Sequence, residues 1–210
     1  MSKGIKSEIV LIRHGITTGN IRKLYYGSTD VPLADKGIRG LEENKASGIY
    51  PDGDAADFYT SGMLRTEQTL ELIYGAREHV KIPQLRELHF GEFEMKSYDE
   101  LNKVPEYRAW INCGDDTMPP PGGESIAQFT KRVREGFDIL RNLHGHRVLS
   151  LRHRDEEARS ICICHGGVIS GIMAYIWPGE HKNFYQWIPD PGHGYILTLD
   201  GGEVTDRTMF

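Results

Sequence analysis

Short runs of apolar residues, separated by segments of helical periodicity, constrain the fold of this chain most strongly. The runs at residues 9–12 and 161–164 contain no charged or hydroxyl side chain, which is typical of strands buried on both faces of a sheet. Weaker runs lie at residues 57–61 and 195–199. Because strands alternate with helical segments, we predict an α/β three-layer sandwich with a mostly parallel central sheet and helices on both faces.

Capping residues and apolar stripes mark the helical segments between these runs. We predict helices in four places: from Asp35 to Ile49, over residues 64–74 ahead of Gly75, after a capping box at Ser125 and Gln128, and over residues 168–176 ahead of Pro178. Residues 114–123 hold three successive prolines and are predicted to form a loop. The charged segment 144–159 is predicted to be a solvated helix end or excursion, with no function assigned.

Length and charge limit the class of protein. The 210 residues show no repeat and no linker-like change in composition, so we predict a single domain over residues 1–210. The net charge of −5 gives no general attraction to nucleic acid or to an anionic membrane, and neither is predicted as a partner. An anionic substrate would therefore need a local basic pocket. The sequence indicates no oligomeric state.

The N-terminus and the cysteines bear on location. Residues 1–7 lead directly into the first apolar run, without the pattern of a signal peptide, and no apolar stretch approaches the length of a membrane span. Three cysteines cannot all pair within one chain, and two of them alternate within the buried run at 161–164. We predict reduced thiols and a cytoplasmic location.

Both fully apolar runs are followed closely by a histidine and a glycine. His14 follows Arg13 after the first run, and His165 follows the second directly. Since ligands bind outside the carboxyl ends of parallel strands, neighbouring strands would aim both imidazoles at one crevice. Arg13 and Arg65 lie at the same predicted edge and offer the planar fork that suits a phosphate. The pattern favours an anion site in which a neutral histidine accepts a phosphoryl group.

Simpler interpretations remain for each residue taken alone. A histidine at a strand end is more often structural, and a single arginine or glutamate is more often a solvated side chain. Ser125 is explained as a helix cap. The only candidate metal ligands are Cys162, Cys164 and His165, or His144 and His146, and no fourth ligand stands at a recognisable spacing, so no metal site is predicted. Aromatic residues near the C-terminus either line a lid or pack in the core: Phe184, Tyr185, Trp187 and Tyr195.

Six segments between about residues 8 and 172 carry a composite pattern: Ile12-Arg13-His14-Gly15-x-Thr17-x-x-Asn20, Tyr26-Gly27-Ser28-Thr29-Asp30-x-Pro32-Leu33, Ser61-x-x-Leu64-Arg65-Thr66-x-Gln68-Thr69, Leu85-x-Glu87-x-x-Phe90-Gly91-x-Phe93-Glu94, Pro121-Gly122-Gly123-Glu124-Ser125 and Cys164-His165-Gly166-Gly167. In its residues and in their order, this pattern resembles the histidine phosphatase superfamily, which includes the cofactor-dependent phosphoglycerate mutases. Its phosphatase branch, with α-ribazole phosphatase-like members, is the more similar.

The resemblance implies a role for each matching position. His14 corresponds to the phosphoryl-accepting histidine, His165 to the second histidine of the pocket, and Arg13 and Arg65 to the phosphate-clamping arginines. Glu87 corresponds to the acid that protonates the leaving oxygen. Further substrate contacts are implied for Asn20, Thr17, Gly27 and Gly166. The family reaction implies a small phosphomonoester as partner, and no metal or organic cofactor.

Three departures and two rival functions accompany the resemblance. Ile16, Met95 and Cys164 stand where many members have other residues, but none is a central site residue. A mutase is the first rival; the family's mutases carry two successive arginines after a tryptophan, whereas here Ile111 and Asn112 follow Trp110. The second rival is a non-catalytic phosphate-binding module on the same fold, against which stands the joint presence of His14 and the other central residues.

Overall fold

The structure, a computed structural model, describes residues 6–151 and 157–210. Within these residues it contains six strands: β1 (Lys6–Arg13), β2 (Asp57–Thr60), β3 (His79–Lys81), β4 (Ala158–Cys164), β5 (Gly194–Asp200) and β6 (Glu203–Met209). It also contains seven α-helices: α1 (Thr18–Ile21), α2 (Asp35–Ala46), α3 (Leu64–Tyr74), α4 (Tyr98–Leu101), α5 (Pro105–Asn112), α6 (Ile126–Leu151) and α7 (Gly166–Ile176).

The strands form one sheet in the order β3-β2-β4-β1-β5-β6. The pairings β3–β2, β2–β4 and β4–β1 are parallel, and β1–β5 and β5–β6 are antiparallel. The prediction of a mostly parallel sheet is confirmed, with an antiparallel hairpin added at one edge. β1 and β4 are neighbours, so the ends of the two fully apolar runs lie side by side.

Alternate side chains of β1 enter two different core layers, which explains its uninterrupted apolar run. Ile9 and Leu11 pack against the layer formed by α6 and α7. Val10 and Ile12 pack against the opposite layer, which contains Leu41 of α2 and the apolar side of α3. The three-layer arrangement is therefore confirmed.

The predicted helices are present, but α7 begins at Gly166 instead of residue 168, and α2 differs from the prediction at both ends. Ser125 and Gln128 form the predicted capping box, because the Ser125 hydroxyl accepts from the Gln128 amide while Gln128 Oε1 accepts from the Ser125 amide. Asp35 is not the cap of α2: Ala34 holds that position, and Asp35 is the first helical residue, where its charge favours the helix dipole. The same helix ends at Ala46 instead of Ile49.

The C-terminal aromatic residues divide between the core and the surface. Trp187 and Tyr195 belong to the core layer beneath α7. Phe184 and Tyr185 are exposed, Tyr185 to 72%. Of the two interpretations left open, core packing holds for Trp187 and Tyr195.

The charged segment 144–159 is less solvated than predicted. Residues 144–151 continue α6, residues 152–156 lie outside the described residues, and His144 and Leu151 are buried. The two ring nitrogens of His144 lie 2.9 Å from the hydroxyls of Ser7 in β1 and Ser160 in β4. Its imidazole therefore ties α6 to the starts of both central strands.

Acid should destabilise the fold through His144. Burial lowers its pKa from about 6.5 to about 4, so between these pH values the unfolded chain binds a proton that the folded chain does not. The free energy of unfolding should thus fall by roughly 2 kcal/mol per such histidine between pH 7 and pH 5. Urea denaturation at both pH values measures the loss, which should be smaller by about that amount in His144→Gln. His146→Gln, on the exposed side of the same helix, is the control; an equal change in both variants would contradict the assignment.

Candidate active site

The ends of β1 and β4 bring the two predicted histidines together. Arg13 is paired with Cys164 across the parallel strands, and the His14 amide donates to the Cys164 carbonyl at 3.0 Å. Their successors, His14 and His165, consequently leave the sheet side by side, with ring centroids 5.2 Å apart at an interplanar angle of 66°. Both imidazoles are buried.

Hydrogen bonding fixes the tautomer of His14. Its Nδ1 lies 2.7 Å from the Gly15 carbonyl oxygen, which can only accept, so Nδ1 carries the proton and Nε2 keeps a lone pair. Burial, followed by the nearby charges of Arg65 and Arg13, lowers the pKa of His14 well below its ordinary value. A neutral imidazole with an unprotonated Nε2 is a competent nucleophile.

His165 has the opposite tautomer. Arg65 Nε donates to its Nδ1 at 3.3 Å, so Nε2 carries the proton and donates to the Ser61 hydroxyl at 2.8 Å. Burial and the charge of Arg65 lower the pKa of His165 well below its ordinary value. Ser61 was not predicted as a site residue, although it directly follows β2, the other neighbour of β4, and that position could have indicated a role.

The guanidinium of Arg65 is fully buried at the start of α3. Besides its bond to His165, its Nη1 donates to the Thr29 carbonyl at 3.1 Å and its Nη2 to the Gly27 carbonyl at 2.7 Å. The ring of Tyr26 lies below it, 5.2 Å away. An arginine has five N–H donors, and within the described part of the chain these contacts occupy one on each nitrogen. The guanidinium of Arg65 is thus held in a fixed plane, and one N–H donor on each of Nη1 and Nη2 is left for an anion.

Arg13 presents a second guanidinium beside the histidines. Its Nη1 donates to the Pro189 carbonyl at 2.8 Å, while its buried Nε has no hydrogen-bond partner among the described residues. A Cβ added at Gly166 would lie 3.2 Å from that Nε, so the glycine leaves the space around it open. A buried donor without an acceptor is costly unless a ligand supplies one.

Glu87 reaches the site from the loop after β3. Its Oε2 accepts from the Gly167 amide at 2.9 Å, and its Oε1 accepts from the Leu88 amide at 2.9 Å. Gly167 lies in the first turn of α7, two positions after His165, and a Cβ there would come within 2.4 Å of Oε1. The half-buried carboxylate is therefore oriented at the same edge as the imidazoles.

Thr17 and Asn20 form a capping box for α1. Asn20 Oδ1 accepts from the amide and the hydroxyl of Thr17, both at 3.0 Å, and the Thr17 hydroxyl also lies 2.5 Å from that of Tyr26. Thr17 is buried, whereas Asn20 is half-buried and keeps its amide nitrogen outside the box. Tyr26 thus joins this helix start to Arg65.

Glu94, which was not predicted as a site residue, organises the loop at residues 27–29. Its carboxylate accepts from the three successive amides of that loop, at 3.2, 2.8 and 2.6 Å. Gly27 allows the loop to pass close to the neighbouring chain, since a Cβ there would lie 1.7 Å from the Leu88 carbonyl oxygen. The next residue, Met95, has a φ of 61°, a strained value for a side chain of this kind.

An open cavity of about 400 Å³ lies beside Glu87. Its lining includes Ser28, Arg86, His89 and the paired side chains of Glu124 and Arg132. The cavity offers room for an organic group next to the carboxylate. Within residues 6–151 and 157–210, no cluster of three or more His, Cys, Asp or Glu side chains is arranged to hold a metal ion.

The arrangement suits phosphoryl transfer, because a neutral imidazole with a free Nε2, two guanidiniums and a carboxylate lie at one sheet edge. The sequence model of the histidine phosphatase superfamily (branch 1) matches residues 9–209. The chain therefore belongs to this superfamily, as the motifs predicted.

Individual relatives agree with this classification. The chain is 33% identical over 213 residues to an adenosylcobalamin/alpha-ribazole phosphatase of Salmonella typhimurium, covering 95% of this chain and 94% of the relative. It is 29% identical over 181 residues to phosphoglycerate mutase-like protein 4 of Arabidopsis thaliana, covering 84% and 74%. A crystal structure of a putative alpha-ribazole-5'-P phosphatase from Escherichia coli superposes with a TM-score of 0.73 at 25% identity, covering 97% of this chain and 94% of the other.

No helix within the described ranges, 6–151 and 157–210, is at once long and apolar enough to cross a lipid bilayer.

Proposed function

We propose that the chain hydrolyses the phosphomonoester of a small metabolite, with His14 as the residue that is transiently phosphorylated. The tautomer of His14 carries this proposal: because Nδ1–H is bound to the Gly15 carbonyl, Nε2 is the free nucleophilic atom. The unpartnered Nε of Arg13 supports it, since a phosphate oxygen would supply the missing acceptor.

In the first step, His14 Nε2 attacks phosphorus as the bond to the leaving oxygen breaks. The remaining N–H donors of Arg13 and Arg65 hold the phosphoryl oxygens, and the buried, neutral His165 keeps Arg65 in place. Glu87 gives a proton to the leaving alkoxide. In the second step, Glu87 takes a proton from water as the water oxygen attacks phosphorus. The bond between phosphorus and Nε2 breaks, inorganic phosphate leaves, and His14 returns to its neutral form.

The remaining predicted contacts fit around this centre. The amide nitrogen of Asn20 is the proposed donor to a phosphoryl oxygen, with Thr17 holding Asn20 in place. Gly166 begins α7 beside Arg13, where its amide offers a further donor at the helix N-terminus. Gly27 serves the phosphate through Arg65, to which its carbonyl is bonded.

The proposed substrate is a small phosphorylated metabolite whose organic part occupies the cavity beside Glu87. The similarity to an alpha-ribazole phosphatase over 95% of this chain favours hydrolysis over transfer. A mutase is the second candidate. Against it, the positions after Trp110 hold Ile111 and Asn112 at the exposed end of α5, without the paired arginines of the mutases.

A cytoplasmic location and independence from metals complete the proposal. The thiols of Cys113, Cys162 and Cys164 are unpaired, as suits a reducing compartment. The guanidinium groups of Arg13 and Arg65 supply the positive charge that a metal ion would otherwise provide to the phosphate. Neither nucleic acid nor a membrane is proposed as a partner.

Exhaustive treatment with EDTA should leave hydrolysis at the untreated rate. Quenching in alkali during turnover should also trap phosphate on the protein as phosphohistidine, which is stable in base and labile in acid. The measurement combines release of phosphate from a panel of phosphomonoesters with peptide mapping of the trapped enzyme. Activity restored only by Zn²⁺ or Mg²⁺, or turnover without label on His14, would contradict the proposed mechanism.

A further inference from the structure

Glu94 lies outside the proposed chemistry, yet its carboxylate is among the most heavily hydrogen-bonded in the described chain. Besides the three amides of residues 27–29, it accepts from the hydroxyls of Ser28 and Thr29 and from the Phe90 amide. These bonds lower the pKa of Glu94 although its partial burial opposes them. A carboxylate that accepts from successive amides fixes the path of the loop that carries them.

The opposite side of the same loop holds the phosphate-binding arginine. While its amides point to Glu94, the carbonyls of residues 27 and 29 accept from Nη2 and Nη1 of Arg65. The loop is thus clamped between an anion and a cation. The Gly27 carbonyl and the Ser28 amide belong to one peptide unit, so rotation of that unit would break a bond to Arg65 and a bond to Glu94 together.

We infer that Glu94 is a positioning residue for phosphoryl transfer: it orients Arg65 through residues 27–29, without touching the substrate. This inference rests on the proposed function, because it assumes that Arg65 binds the transferring phosphoryl group. Because Glu94 and Arg65 lie far apart along the chain, no local sequence motif indicates that the loop at residues 27–29 connects them. Met95, with its strained φ of 61°, accompanies the turn that delivers the Glu94 carboxylate to the loop.

Glu94→Gln tests the inference because it retains one acceptor oxygen and turns an NH₂ group toward amides that also donate. We expect kcat/KM to fall by about 10- to 100-fold, the range that a small misplacement of a catalytic group produces. The loss should be equal for a sugar phosphate and for p-nitrophenyl phosphate, since Arg65 acts on the phosphoryl group common to both. Binding of inorganic phosphate, measured by calorimetry, should weaken in parallel.

Two variants serve as graded comparisons. Ser28→Ala removes one hydroxyl donor to Glu94 and should give a smaller loss in the same direction. Glu92→Gln changes an exposed carboxylate two positions away and should match the wild type. Thermal unfolding of each variant ensures that rates are compared between folded enzymes.

A double-mutant cycle with Arg65→Lys separates positioning from general support of the fold. A lysine cannot donate to both loop carbonyls as a planar fork, so Glu94→Gln should cost less than about threefold in that background. The same loss in both backgrounds would overturn the inference, as would a loss confined to substrates with poor leaving groups or no loss at all. If the wild type bound phosphate but hydrolysed no ester, the proposed function would fail, while the calorimetric cycle would still decide the role of Glu94.

Discussion

His14→Ala is expected to abolish hydrolysis of every phosphomonoester, with a fall in kcat of at least about 10³-fold, because both ring nitrogens of the neighbouring imidazole, His165, are engaged in hydrogen bonds and cannot replace Nε2 of His14. The fold should survive. Among the described residues, the imidazole hydrogen-bonds only to the adjacent Gly15 carbonyl, and His14 lies beyond the apolar run of β1. Steady-state kinetics and thermal unfolding measure the two effects.

His79→Ala is the matched control for that variant. His79 is a second imidazole in a defined contact, 2.7 Å from the Glu67 carboxylate, but it lies on edge strand β3. Its removal should leave hydrolysis intact. Phosphate release by His14→Ala at near the wild-type rate would show that the nucleophile has been assigned wrongly.

Glu87→Gln is expected to separate the two chemical steps. The variant lacks a transferable proton, so phosphorylation of His14 by a sugar phosphate should slow by roughly 10² to 10⁴-fold. With p-nitrophenyl phosphate, whose leaving group is a stabilised anion, the first step should be much less impaired. Hydrolysis of phosphohistidine should remain slow, since it requires a base. Rapid mixing should therefore show a burst of nitrophenol followed by a slow steady state.

From the structure we expect, in addition, a smaller loss of rate that is the same for both esters. Both carboxylate oxygens of Glu87 accept from main-chain amides, of Gly167 and Leu88, and a glutamine can satisfy only one of them. The side chain of the variant should thus be oriented less firmly for both esters. If hydrolysis of both esters slowed equally and no burst appeared, Glu87 would orient or bind the substrate, and another group would supply the proton.

The sequence predicted those parts of the fold that depend on burial. Strands β1 and β4 are apolar on both faces, a pattern typical of the central strands of a sheet covered on both sides. The edge strands β3 and β6 were not predicted, because their exposed residues are polar and their pairing depends on the neighbouring strand. The helix cap at Asp35 was misplaced by one residue because the side chain makes no capping bond.

The sequence predicted those site residues whose side-chain chemistry suits an anion and whose position follows a predicted strand. His14 and His165 end neighbouring strands, and the arginines carry the charge that an anion requires. The contacts that Ser61, Tyr26 and Glu94 make could not be read from the sequence, because each depends on a partner far along the chain. Ser61 meets His165 across 104 positions, and Glu94 meets Ser28 across 66.

The placement of β1 between β4 and β5 also governs the order in which the site can appear during synthesis. β1 is made first, but both of its sheet partners lie beyond residue 157. Contacts at such separation close slowly, since a long loop must be ordered first. A nascent chain that ends before β4 holds His14 beside an unpaired strand, without His165 and without the carbonyl of Cys164. The two histidines can therefore come together only after β4 has been synthesised.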